Sequence, residues 1–216
     1  MLHIPSSTFV NKKIPKQRFY DHLDVSSSLK RTFIDKVESI YWVNKIATTT
    51  TNLAKGKEVV EIEVFEVTLT NPNVSNDFFK LIDKGIPYHI IFTLKHEDKV
   101  KYVISFKEKS LGNSPYKVGD YYSTDWCKDE DITLSLQGLN LDEVYENFVR
   151  QIAGSSLNKS QEDEDLKTSV EKDNKRQLLE KQITQLKNKI AKEKQFNKQV
   201  EMNKQLKELQ QQLNGI

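Results

Sequence analysis

The sequence predicts an α+β fold: a small mixed or antiparallel sheet with flanking helices, followed by a C-terminal helical coiled coil or helical hairpin. Three observations carry that expectation. Residues 88–94 and 100–106 are apolar, β-rich runs separated by the polar stretch 95–99, and they pair most simply as an antiparallel hairpin. Helical patterns alternate loosely around them, without the repeated strand–helix–strand spacing of a doubly wound parallel sheet. Residues 171–214 contain no Gly or Pro and are rich in Lys, Gln, Glu and Leu, which favour helix.

Taken in order, Leu29, Phe33, Val37, Ile40 and Tyr41 recur at helical spacing behind three serines at 26–28, so an amphipathic helix capped by a serine hydroxyl is expected there. Residues 58–69 are dense in β-branched side chains. Val60, Ile62 and Val64 alternate with Glu61 and Glu63 before the phase changes at Phe65, Val67 and Leu69, which predicts a long strand with a bulge or twist. Ser75 or Asn76 caps a short helix carrying Phe78, Phe79, Leu81 and Ile82, stopped by Gly85 and Pro87. Residues 111–122 read as loop, with weaker extended segments at 121–126 and 132–136. Asn140 caps a last helix holding Leu141, Val144, Tyr145, Phe148 and Ile152, and Glu143 closes a capping box.

Charge divides the chain. Residues 1–153, the α+β body, carry 20 basic and 21 acidic side chains, whereas residues 171–214 carry 11 basic and 6 acidic. Between them, residues 154–170 hold Ser, Asn and the acidic cluster Glu162, Asp163, Glu164 and Asp165 but no aromatic, a composition that predicts a flexible linker. The tail is thus residues 171–216. Over the whole chain of 216 residues the net charge is only +2, too small by itself to argue for nucleic acid or an anionic membrane. One cysteine, Cys127, excludes an internal disulfide and a multi-cysteine zinc site. No stretch reaches the length of apolar residues that a membrane span needs, and the start lacks the pattern of a leader. A soluble cytoplasmic protein without membrane attachment is expected.

In the tail, Leu179, Ile183, Leu186 and Ile190 step by four, three and four residues, the spacing of a coiled-coil seam, and Leu206, Leu209 and Leu213 restart a similar stripe out of register. Phe196, Val200 and Met202 fall off the extension of the first stripe. A hairpin folding back near 194–197 explains the break; so does one unbroken helix of about 65 Å whose seam rotates. The hairpin is the reading favoured here. A narrow stripe of Leu and Ile buries too little to stabilise a lone helix, so these residues predict an interaction surface for the second arm, the body, another copy of the chain or a different protein.

Catalytic patterns are sparse. Asp83 with Glu97, Asp98 and Lys99 satisfies the string of a metal-dependent nuclease, in which carboxylates hold a cation and a lysine polarises water, but Glu97 and Lys99 fall in the presumed hairpin turn. Glu61 and Glu63 share one strand face and form a second carboxylate set, expected instead to be the solvent side of a half-buried strand. Cys127 could act as a nucleophile only if His89 or His96 reached it. The histidines at 3, 22, 89 and 96 have no short metal-ligand spacing, and no glycine-rich phosphate loop occurs, so no cofactor is expected. Lys12, Lys13, Lys16 and Arg18 lie near Phe9, Phe19 and Tyr20. That basic and aromatic mixture suits weak contact with nucleic acid, or equally an arm anchored to the body.

The order of several segments resembles a bacterial family, the domain of unknown function 4391. These are residues 4–20 (IPSSTFVNKKIPKQRFY), 40–47 (IYWVNKIA), 60–69 (VEIEVFEVTL), 82–92 (IDKGIPYHIIF) and, in the tail, 192–203 (KEKQFNKQVEMN). The resemblance covers nearly the whole chain and implies no catalytic residues. It implies an accessory protein encoded beside helicases and DNA methyltransferases in restriction-like or antiphage gene clusters. On that view the body docks on a helicase or methyltransferase and the tail supplies a second contact. Trp42, Asn44, Lys45 and the turn at 86–88 are the candidate face of the body. The competing expectations are a nuclease effector and a self-associating structural protein.

Overall fold

The computed structural model describes residues 2–21, 25–110, 116–157 and 164–216. His22, residues 111–115 of the expected loop, and Glu162 and Asp163 of the acidic cluster lie outside them. The chain forms two compact units, Met1–Gly154 and Ser155–Ile216.

The first unit is built on a six-stranded sheet. In chain order its elements are β1 (Leu2–His3), β2 (Phe9–Lys13), α1 (Gln17–Tyr20), α2 (Ser27–Arg31), β3 (Val37–Ala47), β4 (Glu61–Leu69), α3 (Asn76–Gly85), β5 (His89–His96), β6 (Lys99–Lys109), β7 (Tyr116–Ser123), β8 (Leu134–Ser135) and α4 (Leu141–Ala153). The large sheet runs β2-β3-β4-β5-β6-β7, and β1 pairs β8 in a small parallel sheet. Only β4 and β5 are parallel in the large sheet; every other neighbour is antiparallel. Helix α3 makes the crossover that a parallel pair requires. This is the predicted α+β class.

The expected hairpin of residues 88–106 is β5 and β6, closed by a turn between His96 and Lys99. Helix α4 begins as predicted: the Asn140 side chain accepts from the Glu143 N–H, and the Glu143 carboxylate accepts from the Leu139 N–H and the Asn140 amide. Two expectations are corrected. The helix expected to run to Tyr41 stops early: α2 continues through one wider turn, Thr32–Lys36, and Val37 opens an 11-residue strand. Val37 and Ile40 do bury, but against β4 on the sheet, where β-branched side chains pack well. Residues 116–122, expected as loop, lie in β7, which completes the sheet beside β6.

Helix α3 covers one face. Phe33, Phe78, Phe79 and Ile82 pack there with Phe65, Val67, Leu69, Ile90, Phe92 and Leu94, which are alternate residues of β4 and β5. Helix α4 covers part of the other face, where Tyr145 meets His89 with ring centroids 4.3 Å apart. With both faces covered, β4 is buried along nearly all its length, and the phase change in its sequence is this two-sided burial rather than a bulge in β4. Two extra residues sit opposite, in β3: Glu38, between the Val37/Leu69 and Ser39/Thr68 pairs, and Val43, between the Trp42/Phe65 and Asn44/Val64 pairs.

The second unit holds α5 (Leu166–Lys192) and α6 (Phe196–Asn214). Helix α5 starts five residues before the predicted tail, because Asp165 caps it: its side chain accepts from the Thr168 N–H at 2.7 Å. The fold-back expected near 194–197 falls at 193–195. There Glu193 leaves helical geometry and its carboxylate accepts from the Lys194 and Gln195 N–H groups, so α6 folds back against α5.

Candidate functional site

Strand alternation places Glu61 and Glu63 on the same face as Phe65, at the end of the α3-covered side. They are 8% and 4% exposed, which overturns the expectation that they face solvent. Each finds a partner on β3. Lys45 contacts Glu61 at 2.6 Å, and the Trp42 indole N–H donates to the Glu63 carboxyl and to the Asn44 carbonyl. Burial, then the neighbouring Glu61, push the Glu63 carboxyl up to about 8, so it carries a proton at neutral pH. Burial works the same way on Glu61, but hydrogen bonds from Glu63 and Lys45 outweigh it and hold Glu61 below the usual carboxylate range. The hydrogen bond to Glu61 raises Lys45 in turn. One proton and one lysine therefore neutralise two buried carboxyls.

A second buried cluster lies around Asp83 of α3. Lys107 of β6 pairs with it at 2.7 Å and also donates to the Tyr88 carbonyl; Tyr121 of β7 and Ser105 donate to the other carboxylate oxygen. Tyr145 of α4 donates to the Ser105 carbonyl and accepts from the Lys107 N–H. Burial raises Asp83 and lowers Lys107, each opposed by the other's charge. His89, 1% exposed between the rings of Tyr116 and Tyr145, is pushed down to about 3 by burial and by Lys107, so it is neutral.

The structure therefore separates the nuclease string. Asp83 meets Lys107, while Glu97 and Lys99 stand at the β5–β6 turn, where Glu97 has a φ of 53°. In the sequence Tyr121 and Tyr145 read only as parts of an extended segment and a helix face, and nothing local distinguishes Lys107, in the run SFKEK, from a solvent-facing strand residue. Among the described residues, no three His, Cys, Asp or Glu side chains gather in a way that would hold a metal ion, and the lysine ammonium of Lys45 occupies the cation position beside Glu61. The Cys127 thiol lies 3.9 Å from the Val100 carbonyl, and burial raises it, away from the reactive thiolate. His96 instead meets the ring of Trp126.

The basic arm divides in the same manner. Lys16 donates to the Val37 carbonyl at 2.5 Å and Phe19 is in the core, which commits them to anchoring. Lys12 and Lys13 are exposed on β2, Lys13 lying over the Tyr41 ring, and Arg18 is exposed on α1. Of the candidate face on the body, Trp42 packs on the core, Asn44 donates to Thr8 and Lys45 holds Glu61.

The tail shows the opposite pattern, with apolar side chains lacking cover. Leu179 and Ile183 are buried, but Leu186, Ile190, Leu206, Leu209 and Leu213 of the predicted stripes are only half-buried, and Met202 joins them. Phe196 and Val200, one turn apart on α6, are 75% and 54% exposed. On one side of the seam the two helices leave a groove of about 420 Å³ floored by Leu186 and Leu209. At 3.6 residues per turn, Phe196 and Val200 point to the side of α6 turned away from that groove.

A mixed-sheet α+β domain joined to a pair of amphipathic helices is the class these features define. Residues 2–213 match the family described as Domain of unknown function (DUF4391), and the chain belongs to that family. No curated protein and no solved structure matches it.

Proposed function

We propose that this chain is a non-catalytic accessory subunit of a bacterial restriction-like or antiphage defence system, docking on a helicase or DNA methyltransferase through its body and its helical tail. The supporting observation is the exposure of Phe196 and Val200 beside a half-sealed helical seam. Apolar side chains one turn apart on a helix are the anchors with which an amphipathic helix enters a partner's groove. On the body, β2 is an edge of the large sheet and carries Phe9, 60% exposed, which suits strand addition by a partner better than the internally bonded Trp42 does. Lys12, Lys13 and Arg18 add phosphate contacts that strengthen the complex when the partner holds nucleic acid.

Three carboxylates of the nuclease reading are engaged within the fold, Glu61 with Lys45, Glu63 with Trp42 and Asp83 with Lys107, while Glu97 stands apart from them at the β5–β6 turn. No helix among the described residues is long and apolar enough to cross a membrane, and the proposed partners place the protein in the cytoplasm.

Co-expression of the tagged chain with the helicase and the methyltransferase encoded beside it tests this reading. One of them co-purifies in fixed stoichiometry, and a Phe196→Asp, Val200→Asp variant loses it. Cleavage of DNA or RNA by the purified chain with Mg²⁺ or Mn²⁺, abolished by Glu63→Gln, would overturn the accessory role in favour of a nuclease.

A further inference from the structure

We infer that the groove between α5 and α6 is a self-association face: two copies of the chain pack groove to groove, closing their helical pairs into a four-helix bundle. The inference rests on the interaction reading above and deepens it, since it names the occupant of one tail face and leaves Phe196 and Val200 free for the other partner.

Two helices side by side do not seal this seam along its whole length: Leu179 and Ile183 are buried, but at the groove the seam residues have helices on one side only. Leu186 and Leu209 stay half-buried for that reason, and a second pair of helices is what encloses such a seam in a bundle. Helical periodicity extends the same face along α5 to Leu178, which is 56% exposed and lies four residues before Gln182 on the groove rim.

The chemistry of the rim chooses the occupant. Lys189 on α5 and Glu208 on α6 give the face one charge of each sign and a net charge of zero. The remaining polar lining is glutamine: Gln182 and Gln185 on one helix, Gln205 and Gln212 on the other. A glutamine amide both donates and accepts, so a glutamine-rimmed surface is complementary to itself. A two-fold axis brings the same patch against itself, which requires a face of this kind. A partner with a strong charge of its own would gain nothing from a neutral rim.

Size agrees. The 19 residues of α6 span about 28 Å, and two helices packed 8–10 Å apart present a strip about 20 Å wide. A second copy has the same dimensions and covers that strip completely. The footprint approaches the roughly 800 Å² per partner of a standard stable interface once side-chain relief is included.

Sedimentation or light scattering of the purified full chain, from about 1 to about 100 µM, tests the inference. The expected result is a dimer that a Leu186→Glu, Leu209→Glu variant converts to monomer with unchanged helicity. Charge provides a second variant pair that leaves the floor intact. Lys189→Glu and Glu208→Lys chains, each repelling its own copy, are monomeric alone at concentrations where the parent is a dimer, and form a heterodimer at least tenfold more stable when mixed. A full chain that stays monomeric across the range overturns the inference, as does a dimer indifferent to both sets of substitutions. Loss of the dimer with retained binding of the helicase or methyltransferase, or the reverse in the Phe196 and Val200 variant, separates this inference from the accessory reading.

Discussion

Asp83 on α3 and Lys107 on β6 form an ion pair at 2.7 Å with side chains 0% and 1% exposed. It joins the crossover helix to a strand that is not its sequence neighbour, and it brings Tyr121, Ser105 and the Tyr88 carbonyl into one network. Each charge costs much to desolvate, and each is tolerated because the other is present. Removing one partner is therefore far worse than removing both. Lys107→Met is expected to destabilise the body by about 3–5 kcal/mol, and Asp83→Leu by a similar amount. The double substitution recovers most of the loss. Urea unfolding of the four proteins, read as a double-mutant cycle, measures the coupling.

Glu63 makes stability depend on pH, with a sign set by its shift. Its folded value of about 8 lies above the ordinary 4.5, so the folded chain keeps a proton that the unfolded chain releases. The stabilisation is complete below 4.5 and is lost as pH rises toward 8, by up to about 1.4 kcal/mol per pH unit. His89 acts in the other direction: folded at about 3 against 6.5, its contribution is present above 6.5 and lost as pH falls toward 3. The two slopes oppose each other between 4.5 and 6.5, and between 6.5 and 8 the Glu63 slope is no longer opposed by His89. Unfolding midpoints are expected to fall across that window in the parent chain. In Glu63→Gln, whose amide still donates to Glu61 and accepts from Trp42, they fall less steeply than in the parent.

Asp142, at the first turn of α4, accepts from the main-chain N–H groups of Lys57, Glu58 and Val59 at 2.6, 3.1 and 2.7 Å. Burial raises its carboxyl, but these three donors outweigh it and hold Asp142 below the usual range. Such an approach needs Gly56, where an added Cβ would lie 2.3 Å from Asp142 Oδ1 and 2.6 Å from the Val59 carbonyl oxygen. Gly56→Ala and Asp142→Ala should each cost about 1–3 kcal/mol, and the double variant less than the sum, since both break one contact. Thermal unfolding of the three variants checks this.

Much of the fold is local and was readable. The 88–106 hairpin, the α3 stop at Gly85 and the α4 cap depend on residues a few positions apart. Residues 37–41 misled because Phe33, Val37 and Ile40 fit a helical spacing by coincidence, and only pairing with β4 makes them a strand. Glu61 and Glu63 misled because alternating charge is the usual mark of a solvent face, whereas Lys45 and Trp42, on another strand, are what allow the glutamates to be buried. Asp83 stood out in the sequence with the wrong partner. Its real one, Lys107, lies 24 residues away and carries no local mark. The tail's break at 193–195 was legible from the phase of its leucines, whereas the exposure of Phe196 and Val200 depends on how α6 packs on α5 and had no local mark.

The central claim is that the helical tail exists to hold another protein. Affinity measurement of the purified chain against the helicase or methyltransferase proposed as its partner, made with the parent and with Phe196→Asp, Val200→Asp, tests that claim most directly. The account predicts tight binding by the parent and a loss of at least tenfold in the variant with the fold unchanged. Equal binding by both proteins, or none by either, would contradict it.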